Sequence, residues 1–298
     1  MAVRNRNKAR HSNYVVGNKV TSSNAEQDNY NAVPETPIEP NKPLTIWVYV
    51  MCFNEITLAP YMIEYWKTYA NKVIVYDNGS NDGCLELFKK YDWIEVRHFD
   101  TNGLDDLMHV KIKDSCWKEC RDKDVDFVQV SDFDELIYCE NLKEELKKHR
   151  NRGDYIFTLS ILNVISEKLP EYKENTLLHK SKGVRFNNVS VPSRHFEKAI
   201  LFNPRKIKEI NYFPGCHTAR PVKMGGGTAV ASKSKIKLLH FNNLGIDFLL
   251  DKYRQRAARN TENRKRGFGT HYSRTKEQIE DYYNKSVRGS KGYSEIDW

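Results

Sequence analysis

The chain has 298 residues, 39% hydrophobic and 12% aromatic, with 48 Lys/Arg against 39 Asp/Glu and a net charge of +9. That content can bury one substantial core or two small ones, and no run approaches the ~18 consecutive apolar residues that a membrane helix needs. The opening MAVRNRNKARHSNY lacks the apolar stretch of a signal peptide, and six scattered cysteines without a C-x-x-C pair make no disulfide framework. A soluble, unexported, cytoplasmic protein with reduced thiols is expected.

Residues 1–43 are rich in Asn, Ser and Pro without an apolar period and predict a disordered leader. From Leu44 the pattern alternates. LTIWVYVMCF predicts a buried strand and LAPYMIEYWKTYA a helix with Pro60 in its first turn. KVIVYD predicts a strand running into the turn NGSNDG, followed by the helix CLELFKKY. IEVRHF, DLMHVKIKDSCWKECR and DFVQVSD then predict strand, helix and strand. Three strand–helix units ahead of VSDFDELIY imply a doubly wound α/β domain whose ligands sit at the carboxyl ends of the strands.

Beyond Tyr138 the pattern loosens into the helix NLKEELKKHR and the mixed-sheet strands YIFTLSILNVI, KGVRFNNVSVP, KAILFNP and KIKLLHF. The helix GIDFLLDKYRQRAARN follows, with Ile246, Leu249, Leu250, Tyr253 and Ala257 on one stripe and its basic residues on the remaining surface. Between Lys252 and Lys291 stand twelve Lys/Arg and four Asp/Glu. Nearly the whole positive excess therefore lies in one segment, which points to an anionic partner: nucleic acid, an acidic membrane or the phosphates of a small ligand. A solvated basic helix face accounts for the same charge.

The chemistry concentrates at strand ends. In an extended segment Asp132 and Asp134 point to one side while Phe133 points into the protein. Two carboxylates so placed repel unless a cation intervenes, and their oxygens suit Mg2+ or Mn2+. A strand end followed by a helix cap explains the same residues without metal. Asp77 and Asn78 end the second strand in a Gly/Asn/Ser turn, and Asn54 and Glu55 end the first, so three polar ends converge on one crevice.

The ordered series VMCFNEITLAPYMIEYWKTYANKVIVYDNGSNDG, FDTNGLDDLMHVKIKDSCWKECRDKDVDFVQVSDFDELIY, KAILFNPRKIKEINYFPGCH and LLHFNNLGIDFLLDKYRQRAARN resembles family-2-type glycosyltransferases of GT-A fold, in particular those of bacterial surface-polysaccharide loci. The likeness covers most of residues 44–272. It implies a GT-A domain over 44–243, a mixed sheet with helices on both faces, and a basic helical extension or lid over 244–298. It also implies a nucleotide-sugar donor, usually a UDP-sugar, held with Mn2+ or Mg2+ through an Asp-x-Asp motif. Asp132 would then lie near ribose and metal, and Asp134 would ligate the metal directly at the catalytic centre. Asn54, Glu55, Asp77 and Asn78 would form the nucleoside pocket. His240 in KLLHFNN, or His217 in PGCHTARP, would complete the metal shell. Where many relatives carry a small residue this chain has Phe133, and Glu135 after the motif is expected to begin the next helix.

The segment NRKRGFGTHY suits a flexible loop closing over a diphosphate, with Arg266 and His271 as contacts. An inverting transfer needs a base for the acceptor hydroxyl. Glu197 in SRHFEKAIL is the candidate, with Arg194, His195 and Lys198 nearby, and a saccharide or lipid-linked molecule as acceptor. Two other classes compete. A Mg-dependent phosphohydrolase also uses Asp-x-Asp after a strand, but near the start of its domain and without Glu-Leu following. A nucleic-acid or anionic-surface binder using Arg254, Arg256, Arg259, Arg264, Lys265 and Arg266 explains the charge and leaves the converging acids unexplained. Nucleic acid is accordingly not expected as a partner, while peripheral contact with an anionic membrane stays open.

Overall fold

A computed structural model of the chain describes residues 42–188 and 196–298. The leader expected over 1–43 lies outside them apart from its last two residues.

Strand β1 (Ile46–Cys52) leads into α1 (Ala59–Tyr69), β2 (Lys72–Asp77), the short α2 (Cys84–Phe88) and β3 (Ile94–His98). Helix α3 (Asp106–Ser115) continues as a 3-10 turn over Cys116–Cys120 and returns as β4 (Phe127–Asp132). These strands build a sheet of order β3-β2-β1-β4, all parallel. Its fifth, antiparallel strand comes from far along the chain, as set out below.

Apolar residues on β1 feed two cores in alternation. Ile46, Val48, Val50 and Cys52 pack on one side with Tyr65, Trp66 and Phe88, while Tyr49 packs on the other with Trp117, Val128 and Val130. A parallel strand covered on both faces must be apolar throughout, which is why IWVYVMC shows no polar alternation.

The second half starts with β5 (Glu135–Tyr138) and α4 (Leu142–Arg152), followed by β6 (Phe157–Ser166), β7 (Arg185–Asn188) and β8 (Phe196–Glu197). Next come the short strands β9 (Leu201–Phe202), β10 (Ile207–Glu209), β11 (Thr218–Ala219) and β12 (Val222–Lys223), and then the long β13 (Ser232–Leu244). Strand β9 adds antiparallel to β4 and closes the first sheet. A second sheet has the order β5-β13-β6-β7, with β13 parallel to β6 and antiparallel to β5. The remaining strands pair as β10–β12 and β11–β8. The expected mixed α/β architecture is present, but as two sheets, with β13 central to the second.

The chain closes with α5 (Ile246–Arg259), α6 (Thr261–Lys265) and α7 (Lys276–Arg288). Gly245 precedes α5 with φ +100°, where a Cβ would come within 2.8 Å of the Lys168 backbone, so this entry tolerates only glycine. Leu249 and Tyr253 of α5 pack on Ile279 and Tyr283 of α7, as the apolar stripe predicts. The basic residues of α5 are not simply solvated. Lys252 is buried, and Lys252, Arg256 and Arg259 line the cavity described next.

All six cysteines are free and buried. Among the described residues no helix is long and apolar enough to cross a membrane.

Candidate active site

Registers in the first sheet bring the polar strand ends level. Cys52 of β1 pairs with Asp77 of β2, and Met51 pairs with Asp132 of β4. Above that edge opens a cavity of about 840 Å3 lined by Asn54, Glu55, Asn78, Asp132, Asp134, Glu135, His217 and His240, with α5 forming the far wall. Asn54, Lys198 and Cys216 all line it with positive φ, at 51°, 42° and 52°. Such backbone strain in non-glycine residues gathers where a site is pre-shaped.

The turn between β4 and β5 sorts its side chains as the extended pattern predicts. Phe133 is 1% exposed and stands edge-on to Trp66 at 5.4 Å between ring centroids. Asp132 and Asp134 face the cavity. Glu135 starts strand β5 rather than the expected helix, because Glu135–Tyr138 pair antiparallel with β13, and it is itself buried, with Lys198 Nζ at 2.6 Å.

Each acid has found a cation. Lys113 Nζ lies 2.6 Å from Asp132 Oδ1, and Lys198 Nζ lies 3.9 Å from Asp132 Oδ2. Asp134 Oδ2 accepts from Lys252 at 2.8 Å and from Arg256 at 3.3 Å, and His240 Nε2 stands 3.9 Å from Oδ1. Burial opposes ionisation of both aspartates. Lys113 and Lys198 outweigh it at Asp132, while Lys252, His240 and Arg256 do so at Asp134, and both carboxyls are held below the usual range. Glu55, 3.4 Å from Lys252, shows the opposite balance. Burial together with repulsion from Asp134 exceeds the pull of Lys252 and pushes its pKa up to about 7.

Both histidines sit on the cavity wall. His240 Nδ1 lies 3.0 Å from the Asn163 side-chain oxygen, and burial lowers its proton affinity. The Lys198 charge, helped by burial, lowers His217 to about 4. In both rings the surroundings favour the neutral form. Fitting Mn2+ or Mg2+ to this set depends on which oxygens are free, and Asp132, Asp134 and Glu135 each already hold an ammonium or guanidinium group. Among the described residues no three His, Cys, Asp or Glu converge as metal ligands. The oxygens left over, Asp132 Oδ2 and Asp134 Oδ1, stand 3.9 Å from Lys198 Nζ and His240 Nε2, so a divalent cation would have to lodge among fixed ammonium groups and share both carboxylates with them, a poor fit for a hard cation.

The nucleoside-side residues divide. Asn54 and Asn78 line the cavity, and each is tied into its loop. The Asn54 side chain exchanges hydrogen bonds with Asn81, and Asn78 Nδ2 donates to Thr101 Oγ1 at 2.9 Å. Asp77 is fully buried, accepts from the Gly79 and Ser80 amides, and lies 3.1 Å from His98 Nδ1. Its carboxylate holds the turn and is not among the cavity-lining groups.

On the C-terminal arm, His271 reaches the cavity. Arg266 does not line it and instead donates to Asp105 at 2.8 Å. Glu197 lies on β8, opposite Thr218, and its side chain, like Arg194 and His195, lies outside the described residues.

Lys113 and Lys252 line the cavity and were not singled out as site residues from sequence, Arg256 was named only for the anionic-surface alternative, and Asn163, which holds His240 from behind, was missed. A signal for the first existed. Asp106, His109 and Lys113 recur at helical spacing along α3 and all line the cavity, a polar stripe at one face of the helix.

No family model matches the chain, and no curated relative matches it. Among solved structures, a 4-diphosphocytidyl-2C-methyl-D-erythritol synthase from Anaerococcus prevotii is 9% identical and superposes with a TM-score of 0.29 over 54% of this chain and 71% of its own. GalNAc-T7, crystallised with UDP, GalNAc and Mn2+, is 12% identical with a TM-score of 0.40 over 82% of this chain. The chain spans 55% of that protein's length. At such values neither likeness bears on function.

Proposed function

We propose that the protein is a glycosyltransferase that moves a sugar from a nucleotide-sugar donor, a UDP-sugar, to a hydroxyl of a saccharide or lipid-linked acceptor. The observation that supports this most is the placement of the Asp132–Asp134 turn. It stands at the carboxyl ends of parallel strands, level with the Asn54 and Asn78 loops, on a cavity large enough for a nucleotide and a sugar.

In this reading Asn54 and Asn78 present the nucleoside wall and α5 supplies the cationic wall for the phosphates. The acceptor proton needs a carboxylate with affinity for it near neutral pH. Asp132 and Asp134 are held too acidic, whereas Glu55 is raised to about 7 and lines the cavity. Glu55 is therefore the leading base, with Glu197 on β8 as the second. An inverting outcome goes with a base acting from the face opposite the leaving group.

The test is UDP release from UDP-glucose, UDP-galactose and UDP-N-acetylhexosamines. Release is expected with at least one donor, and a Glu55→Gln variant should lose about 100-fold or more in kcat with KM for the donor little changed. Absence of both nucleotide-sugar binding and UDP release with every donor would sink the proposal.

A further inference from the structure

The acids of the Asp-x-Asp turn and the basic residues around them are arranged as a finished set of ion pairs. Lys113, Lys198 and Lys252 are 3%, 6% and 8% exposed, so these charges are fixed in place by packing. Three lysines and Arg256 meet Asp132, Asp134, Glu135 and Glu55, and the acids no longer repel an incoming anion.

The next cations along the same wall, Arg259 and Arg274, form no salt bridge among the described residues, the buried Asp77 carboxylate acting on Arg259 only from beyond that range. Arg259 Nη2 donates to the Asn78 carbonyl at 3.4 Å and the Gly103 carbonyl at 3.3 Å, and its guanidinium carbon lies 3.2 Å from the centre of the Phe53 ring. Arg274 donates to the Tyr253 hydroxyl at 2.9 Å and stands over the Tyr282 ring. Carbonyls, a hydroxyl and ring faces orient a guanidinium without cancelling its charge. Arg256, Arg259 and Arg274 all line the cavity, and guanidinium groups match phosphate oxygens with paired hydrogen bonds.

We propose that this site binds and stabilises the diphosphate of its donor without a divalent cation, the lysines neutralising the Asp-x-Asp acids and Arg259 and Arg274, with Arg256, receiving the phosphates. The proposal rests on the glycosyltransferase reading for its substrate. In the transfer, the bond from the sugar's anomeric carbon to the diphosphate oxygen breaks. Its electron pair stays on the departing UDP, where these arginines meet the developing charge. The acceptor oxygen forms the new bond, and its proton passes to the base.

Protein stripped with EDTA is titrated calorimetrically with UDP, uridine and inorganic pyrophosphate, and UDP release is followed in EDTA and in Mn2+. UDP and pyrophosphate should bind in EDTA with affinities within about 2-fold of those in Mn2+, and UDP release should persist in EDTA. Arg259→Met and Arg274→Met should each weaken UDP by about 10-fold or more and uridine by less than about 2-fold. Arg259→Lys should fall between, and melting curves should confirm that each variant is folded. UDP binding or release that appears only with Mn2+ would overturn the metal-free site while leaving glycosyl transfer intact. Pyrophosphate binding in EDTA without UDP binding under any condition would overturn the glycosyltransferase reading and leave the anion site standing. Failure of both ligands in EDTA would overturn the inference.

Discussion

Lys252→Met removes the cation that bridges two acids of the ion network. Lys252 Nζ bridges Asp134 Oδ2 at 2.8 Å and Glu55 Oε1 at 3.4 Å, with its side chain 10% exposed and that of Asp134 3% exposed. Deleting one partner of a buried pair costs about 3–5 kcal/mol because the remaining charge stays desolvated. Here Arg256 remains 3.3 Å from the same oxygen with a side chain 34% exposed, and a more solvated partner offsets part of the loss. The expected cost is therefore about 2–3 kcal/mol, or roughly 5–10 °C in Tm for a domain of this size. Methionine preserves the stem that packs along α5, so the loss reports charge and not a cavity. The decisive measurement adds Asp134→Asn. With both charges gone the double variant should melt above Lys252→Met alone, since the orphaned carboxylate has been removed. A Tm shift below about 2 °C for the single variant, or additive losses in the double, would refute the proposed coupling.

Other expectations follow from the same geometry. Phe133→Ala removes a ring 1% exposed between Trp66 and Phe88 and should cost about 3–5 kcal/mol in chemical denaturation. Charged substitutions at exposed Arg254 should change stability by less than about 0.5 kcal/mol. The pH dependence carries two opposite signs. Asp132 and Asp134 have folded pKa values depressed below the ordinary aspartate value of 3.8, so their contribution is complete above that value and is lost as pH falls below it. Glu55 is raised from 4.5 to about 7, so the folded state binds its proton more tightly and stability falls as pH rises through that window. Glu55→Gln should abolish the decline between pH 4.5 and 7 in thermal melts, and Asp134→Asn should blunt the acid loss.

Much of the site's scaffold is legible along the chain. Apolar runs ending in Asn54, Asp77 and Asp132 predict parallel strands whose polar ends converge, and the registers place those ends level. Alternation across Asp132–Phe133–Asp134 correctly sends the ring inward, since a strand end has only two faces. Misreadings occur where one residue type has two uses. Asp77 reads equally as a pocket acid or as the cap of its own turn, and proximity to the Gly79 and Ser80 amides settles it as the cap. Arg266 reads as a lid contact, but Asp105, 161 positions away, captures it.

What local patterning determined by itself is the alternation of strands and helices from β1 to β4, the inward Phe133, and the edge at which chemistry gathers, because these follow from periodicity and short-range sterics. Which charges neutralise which was decided only by the tertiary structure. Lys113 comes from α3 and Lys252 and Arg256 from α5, more than a hundred residues beyond the acids in the latter case. An ion pair depends on distance in space and on desolvation, and neither quantity is written in the spacing of residues along the chain. The three acids Asp132, Asp134 and Glu135 therefore suggest a metal motif in sequence and stand in the folded protein as the anionic half of a fixed ammonium and guanidinium network.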